Sequence, residues 1–192
     1  NAELRIVADP MYGSGRTAIR AILSRTRCHV IEIRGEMNPG FGGIHPEPIR
    51  KYLDALAATI SNLHADVGIA TDGDADRVVL VDEGGSVLDG DDILLAWARH
   101  LRAGGRLPSG RVVATVMSNF GLERALGEED MEIIRCDVGD RSVWLAMNES
   151  GSALGGEQSG DIICSHLGVS GDGLVTGSDV LAMAGGLGRP VS

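Results

Sequence analysis

Three carboxylates at alternate positions, Asp72, Asp74 and Asp76, run directly into Arg77, and no other stretch of the sequence has so clear a chemical meaning. Like charges this crowded repel one another, and a divalent cation relieves the repulsion. Carboxylate oxygens are hard donors that select Mg2+ or Ca2+ over the metals of softer sites. Gly73 and Ala75 leave room for the chain to curl around an ion, and Arg77 sets a fixed positive charge beside it, suited to a phosphate. The expected ligands are therefore Asp72, Asp74 and Asp76, with Mg2+ as the ion and Arg77 as the phosphate contact. A calcium-binding EF-hand is the rival reading, since acids fall at its first, third and fifth positions and Glu83 at its twelfth. Its sixth position requires glycine, however, and here holds Arg77, and the flanks read as Val-rich strands, not helices. A merely solvated acidic loop is disfavoured, because three acids between buried strands are costly without a counter-charge.

Three further loops carry candidate chemistry. Gly13-Ser14-Gly15-Arg16-Thr17-Ala18 fits G-x-G-x-x-A between a strand and a helix, with Glu32 where a ribose-binding acid would lie, which gives a dinucleotide-binding oxidoreductase unit as the second hypothesis. Four residues, Asp9 to Tyr12, separate the strand from the first glycine and spoil the tight turn, so glycines capping a packed helix are the better reading. Gly155-Gly156-Glu157-Gln158-Ser159-Gly160 presents a carboxylate and a hydroxyl that suit vicinal sugar hydroxyls, and taken alone it reads equally as a plain hairpin turn. Val138-Gly139-Asp140-Arg141 precedes a helix whose N-terminus suits an anion, with a salt-bridged loop as the alternative. Ser118-Asn119 and Asp89-Gly90-Asp91-Asp92 read as helix caps. His29, His64, His100 and His166 have no partner at a ligand spacing, and His45 sits alone in a Pro/Gly loop.

The elements that must hold these loops alternate. Apolar runs at 4–8, 28–33, 67–70, 78–81, 112–116, 132–136, 153–154 and 162–164 read as strands. Helices are expected at 16–24, from Ile49 through Ile60, at 91–101 and 119–126, from the turn at 138–141 on to about 148, and at 174–184. In the second of these, Ile49, Tyr52, Leu53, Leu56, Ala57 and Ile60 share one face. The segment from Asn38 to Pro48, with three prolines and three glycines, is loop. The alternation restarts near residue 88 without any sequence repeat. The expected fold is α/β: two similar α/β/α units, residues 1–88 and 89–192, with mixed, mainly parallel sheets.

Composition narrows the partners. With 17 basic and 27 acidic residues the net charge is −10, which argues against nucleic acid or an anionic membrane surface as partner. A hydrophobic content of 43% supplies a core. No apolar run approaches a membrane span and no secretory signal opens the sequence, while Asn1-Ala2 resembles an expression scar. Cys28, Cys136 and Cys164, odd in number and widely spaced, read as reduced core residues of a cytoplasmic protein.

Taken together, the motifs resemble the alpha-D-phosphohexomutase superfamily, which includes phosphoglucomutase, phosphomannomutase and phosphoglucosamine mutase. Asp9 to Gly15, Asn38 to Gly43 with Pro46-Glu47-Pro48, Asp72 to Arg77, Val138 to Arg141, Gly156 to Gly160 and Ser170 to Gly173 occur in the order that those enzymes use. The resemblance covers nearly the whole chain but only the second and third of the family's four domains, so it implies a piece of a longer enzyme that lacks domains one and four. It implies interconversion of hexose 1-phosphate and hexose 6-phosphate through a phosphoserine on an absent domain and a bisphosphate intermediate, and an inactive isolated segment. By the same resemblance Asp72, Asp74 and Asp76 would hold Mg2+, Arg77 would contact phosphate, and Glu157 and Ser159 would grip sugar hydroxyls. Asp140 matches a position where some relatives place a general base, with Arg141 beside it. Asp161 stands where relatives similar to phosphoglucosamine mutase often carry His. The Phe41-Gly42-Gly43 and Pro46-Glu47-Pro48 segments lean toward the phosphoglucomutase/phosphomannomutase type.

Overall fold

The computed structural model describes residues 3–187; Asn1 and Ala2, with the far C-terminal residues, lie outside them. The chain divides into two compact units, one of residues 1–88 together with 173 onward, the other of 89–172.

In the first unit, β1 (Arg5–Asp9), β2 (His29–Glu32), β3 (Val67–Thr71), β4 (Val78–Asp82) and β5 (Val87–Leu88) form one sheet of order β2-β1-β3-β4-β5. The pairs β1/β2 and β1/β3 are parallel, β3/β4 and β4/β5 antiparallel. Alternate residues of a strand face opposite ways. Val7, Ala70, Val79 and Val81 therefore meet Leu56 and Ile60 of α2 (Asp54–Leu63) on one face. The opposite face, which includes Ile69 and Val78, is covered by α6 (Gly173–Leu187), with α1 (Ala18–Leu23) alongside it. Thus α6, grouped by sequence order with the second half, packs in the first unit. The periodicity from Ile49 predicts one continuous helix, whereas Arg50–Tyr52 winds as a 3-10 turn before α2. Ile49 is extended (φ −92°, ψ 154°) and 44% exposed. It therefore lies before the first turn and off the buried face that the period assigns to it.

The second unit repeats the plan. Strands β6 (Arg111–Thr115), β7 (Glu132–Cys136), β8 (Leu154–Gly156) and β9 (Ile162–Cys164) have the order β7-β6-β8-β9, with β6/β7 and β6/β8 parallel and β8/β9 antiparallel. Helix α5 (Asp140–Ser150) places Val143 and Met147 against Val113 and Ile163. Helices α3 (Gly90–Ala103) and α4 (Phe120–Gly127) pack together, α3 against β8 and α4 against β7. The fold class is therefore α/β, with a mixed sheet in each unit. Among the described residues no helix is long and apolar enough to cross a membrane. The three cysteines are free thiols, but only Cys164 is buried; Cys28 and Cys136 lie half-buried, at the margins of the core that their apolar surroundings in sequence predict for them.

In each sheet the chain reverses its direction of winding, beside β1 in the first and beside β6 in the second. Side chains and ligands gather at such switch points, beyond the carboxyl ends of the strands. At that end of β1, Asp9 is fully buried and held by Arg34, whose Nε donates to Oδ1 at 2.9 Å and whose Nη2 pairs with Oδ2. The same Arg34 Nη2 donates to the Tyr52 carbonyl at 2.9 Å, and the Asp9 carboxylate also accepts from the Met11 N–H. Removing one partner of a buried pair strands the other charge. Replacing Arg34 with Met should therefore cost ~3–5 kcal/mol in urea unfolding, and adding Asp9→Asn, which neutralises the stranded carboxylate, should recover part of that loss.

Candidate functional site

The acidic loop joins β3 to β4, so it lies between antiparallel strands, and the helical flanks of an EF-hand are absent. Asp72 is buried, Asp74 exposed and Asp76 half-buried, and each offers an oxygen within 4.8 Å of the other two. Burial pushes the Asp72 carboxyl up to about 7; Asp76 and Asp74 push the same way, against the backbone N–H of Arg77 donated to Oδ1. Burial and the neighbouring carboxylates thus disfavour a negative charge on Asp72. Asp76 Oδ1 is moreover buried without a hydrogen-bond donor. Three hard oxygens that lie this close together fit a small dication.

The backbone holds this loop in shape. The peptide of Gly73 is fastened on both sides: its N–H donates to the Pro46 carbonyl at 3.0 Å, and its carbonyl accepts from the Ser14 N–H at 2.9 Å. A Cβ on Gly13 would lie 2.7 Å from that Gly73 carbonyl, so only glycine allows the approach. The Gly173 N–H, at the start of α6, donates to the Ala75 carbonyl at 3.0 Å. Gly13 and Gly15 thus belong to the scaffold of the acidic loop. Helix α1 begins only at Ala18, after Thr17 in a left-handed conformation, and the Glu32 carboxylate accepts from the Thr17 N–H at 2.9 Å. Glu32 therefore braces the turn and is not held ready for a ribose.

Arg77 stands among three acids without closing on any of them. Its Nε is 3.9 Å from both Asp72 Oδ2 and Asp76 Oδ1, and its Nη1 is 3.7 Å from Glu47 Oε1. In sequence Glu47 stands out only as the centre of Pro46-Glu47-Pro48, and nothing local signals its pairing with Arg77. His45 is exposed, 3.8 Å from Glu47 Oε2.

The second unit gathers the other predicted residues. Glu157 Oε1 accepts from the Gly139 N–H at 2.6 Å, and Oε2 accepts from the Ser159 hydroxyl at 3.2 Å. Gly139 directly precedes α5, so Glu157 and Ser159 are tied to the turn that carries Asp140 and Arg141, the first two residues of that helix, both exposed. The loop itself rests on the start of α3. The Gly90 N–H donates to the Gln158 carbonyl at 2.9 Å, and Gln158 Nε2 donates to Asp89 Oδ2 at 3.2 Å. A Cβ at Gly90 would stand 2.0 Å from the Glu157 carbonyl oxygen. Asp89 caps α3 in a capping box with Asp92, and Asn119 caps α4, accepting from the Leu122 N–H at 3.1 Å. The sequence marks Asp89 and Gly90 as a cap only; their second task, seating the loop around Glu157, depends on a contact 69 positions apart.

Burial, then the charges of Glu157 and Asp137, raises the Cys136 thiol above its ordinary range. In a Cys28→Ser background, alkylation of Cys136 by iodoacetamide should keep accelerating as pH rises past 9. Glu157→Gln should raise the rate at pH 8 by a factor of about two to five; an unchanged rate would place Glu157 away from Cys136.

Known proteins share both the sequence and the architecture. Residues 1–85 match the model for phosphoglucomutase/phosphomannomutase alpha/beta/alpha domain II, and residues 89–192 the model for domain III of the same family. The chain is 43% identical to a phosphoglucosamine mutase of Brucella anthropi and 43% identical to one of Nitrobacter winogradskyi, in each case over 98% of this chain and 42% of the relative. It therefore spans less than half the length of these relatives. A putative phosphomannomutase from Thermus thermophilus superposes with a TM-score of 0.88 at 27% identity, over 97% of this chain and 43% of the other. A phosphoglucomutase/phosphomannomutase family protein from Burkholderia thailandensis shares the fold at TM-score 0.88 and 24% identity, over 99% of this chain and 42% of that protein. With both domain models matched in sequence order and the acidic and Gly-Glu-Gln-Ser-Gly loops at the switch points of their sheets, the chain belongs to the phosphoglucomutase/phosphomannomutase family and carries its α/β/α domains II and III.

Proposed function

We propose that this chain supplies the metal-binding and sugar-binding loops of a phosphohexomutase, an isomerase that moves a phosphoryl group between the 1- and 6-positions of a hexose phosphate. The observation that carries the reading is the triad of Asp72, Asp74 and Asp76, which can bring three oxygens together beside an Arg77 guanidinium that stands 3.7–3.9 Å from the acids around it among the described residues. Its companions are Glu157 and Ser159, hydrogen-bonded to each other and to the turn before α5.

In this reading Asp72, Asp74 and Asp76 hold Mg2+, which when bound neutralises charge on a transferring phosphoryl group. Arg77 offers planar donors to phosphate oxygens. Glu157 accepts hydrogen bonds from vicinal sugar hydroxyls while Ser159 both donates and accepts, so the pair can hold the ring in either of two orientations. Asp140, at the exposed first position of α5, takes the general-base role and Arg141 lies next to it. Positioning and electrostatic stabilisation supply the acceleration, so no nucleophilic triad is required among these residues. The phosphoserine comes from another domain of the parent enzyme, as the greater length of the relatives supports. The names of those relatives favour an amino sugar phosphate as substrate, in place of the phosphoglucomutase/phosphomannomutase leaning of the sequence. Free thiols suit a reducing, cytoplasmic setting.

The 192-residue chain should bind Mg2+ in isothermal titration calorimetry, and Asp74→Asn should weaken that binding about tenfold. It should turn over neither glucosamine nor glucose or mannose phosphates by itself. Turnover should appear when the same residues are assayed within the full-length parent enzyme, and brisk mutase activity of the isolated chain would overturn the assignment.

A further inference from the structure

Arg77 presents a difficulty for the triad beside it. A guanidinium next to carboxylates ordinarily closes into hydrogen-bonded pairs at 2.7–2.9 Å, roughly, and an arginine so closed would compete with a dication for the same oxygens. Here its Nε stays 3.9 Å from Asp72 and from Asp76. A third carboxylate, Glu47, approaches a different nitrogen of the same guanidinium, with Oε1 3.7 Å from Nη1. The backbone of Glu47 is constrained. Prolines on both sides restrict it, Pro46 by its own ring and Pro48 by its effect on the residue before it. The Pro46 carbonyl is bonded to the Gly73 N–H in the middle of the acidic loop, so Glu47 keeps a fixed station relative to Asp72 and Asp76. The Glu47 N–H donates to the His45 carbonyl and its own carbonyl accepts from the Ile49 N–H, both at 2.8 Å.

We infer that Glu47 is a positioning residue: by drawing Arg77 toward itself it keeps the guanidinium off the triad, leaving Asp72 and Asp76 open to the cation and the guanidinium open to a phosphate. The inference rests on the metal reading proposed above and adds to it a residue outside the ligand set. Removing the Glu47 charge lets Arg77 settle on Asp72 and Asp76, so Mg2+ affinity falls; where Arg77 is also absent there is nothing left to restrain.

A double-mutant cycle on the 192-residue chain, with Mg2+ alone as the probe in calorimetry, decides the matter. Glu47→Gln should weaken Mg2+ binding about threefold, the scale of a half-exposed ion pair. Glu47→Gln made on top of Arg77→Gln should produce no further change relative to Arg77→Gln alone. Thermal midpoints, measured without metal, should stay together across the four proteins. Equal weakening in both backgrounds would mean that Glu47 acts through its long-range charge only, and that result, or no weakening at all, overturns the inference while leaving the metal site standing. If the folded wild-type chain binds no Mg2+, the metal reading itself fails and the inference falls with it.

Discussion

The acidic loop is a set of mutually repelling charges, and it keeps its form because one peptide at its apex is gripped from two directions. The N–H of Gly73 is taken by the Pro46 carbonyl and the carbonyl of Gly73 by the Ser14 N–H. These bonds bring the turn after β1 and the Pro-Glu-Pro segment to the same point, at the switch point of the sheet. Backbone donors and acceptors carry no titratable charge, so these two bonds do not themselves depend on whether the carboxylates are protonated, paired or metal-bound. The turn after β1 is in turn fixed by the buried pair of Asp9 and Arg34, which also reaches the Tyr52 carbonyl. A chain of contacts thus leads from the interior of the sheet to the carboxylates, and each link is made by a residue remote in sequence from the next.

The second unit solves a similar problem with other means. Its loop carries a single acid, Glu157, and the difficulty is to hold a short glycine-flanked turn still. The answer is a seat on the capped end of α3, where Asp89 serves Gln158 while accepting from the first turn of its own helix. Both oxygens of Glu157 are satisfied from within the unit, by Gly139 and Ser159. A sugar hydroxyl arriving there would join a carboxylate whose orientation is already set, which lowers the entropy lost on binding.

Strands and helices are legible where a run of apolar residues or a 3.6-residue period extends for several positions. β7, β8 and β9 fall at 132–136, 154–156 and 162–164, close to the apolar runs that predict them. The two-residue β5 and the 3-10 turn at Arg50–Tyr52 have no period long enough to read. The acidic triad is legible because its members are two residues apart, and the Gly-Glu-Gln-Ser-Gly loop because its glycines flank it. The partners that position them are not: Glu47 lies 30 residues from Arg77, and Arg34 lies 25 from Asp9. Such pairings are written in tertiary structure alone. The placement of α6 is hidden for the same reason, since an apolar helix has no local signal for which sheet it will cover.

That helix gives the first unit an unusual order of construction. Everything from Asp89 to Asp172 is threaded between its fifth strand and its closing helix. On a ribosome the sheet face that includes Ile69 and Val78 would emerge early and wait, uncovered, while an entire neighbouring domain is made. A nascent chain halted after Leu88 would be sticky rather than merely short, and its acidic loop would lack the bond from Gly173 to Ala75 that completes its frame.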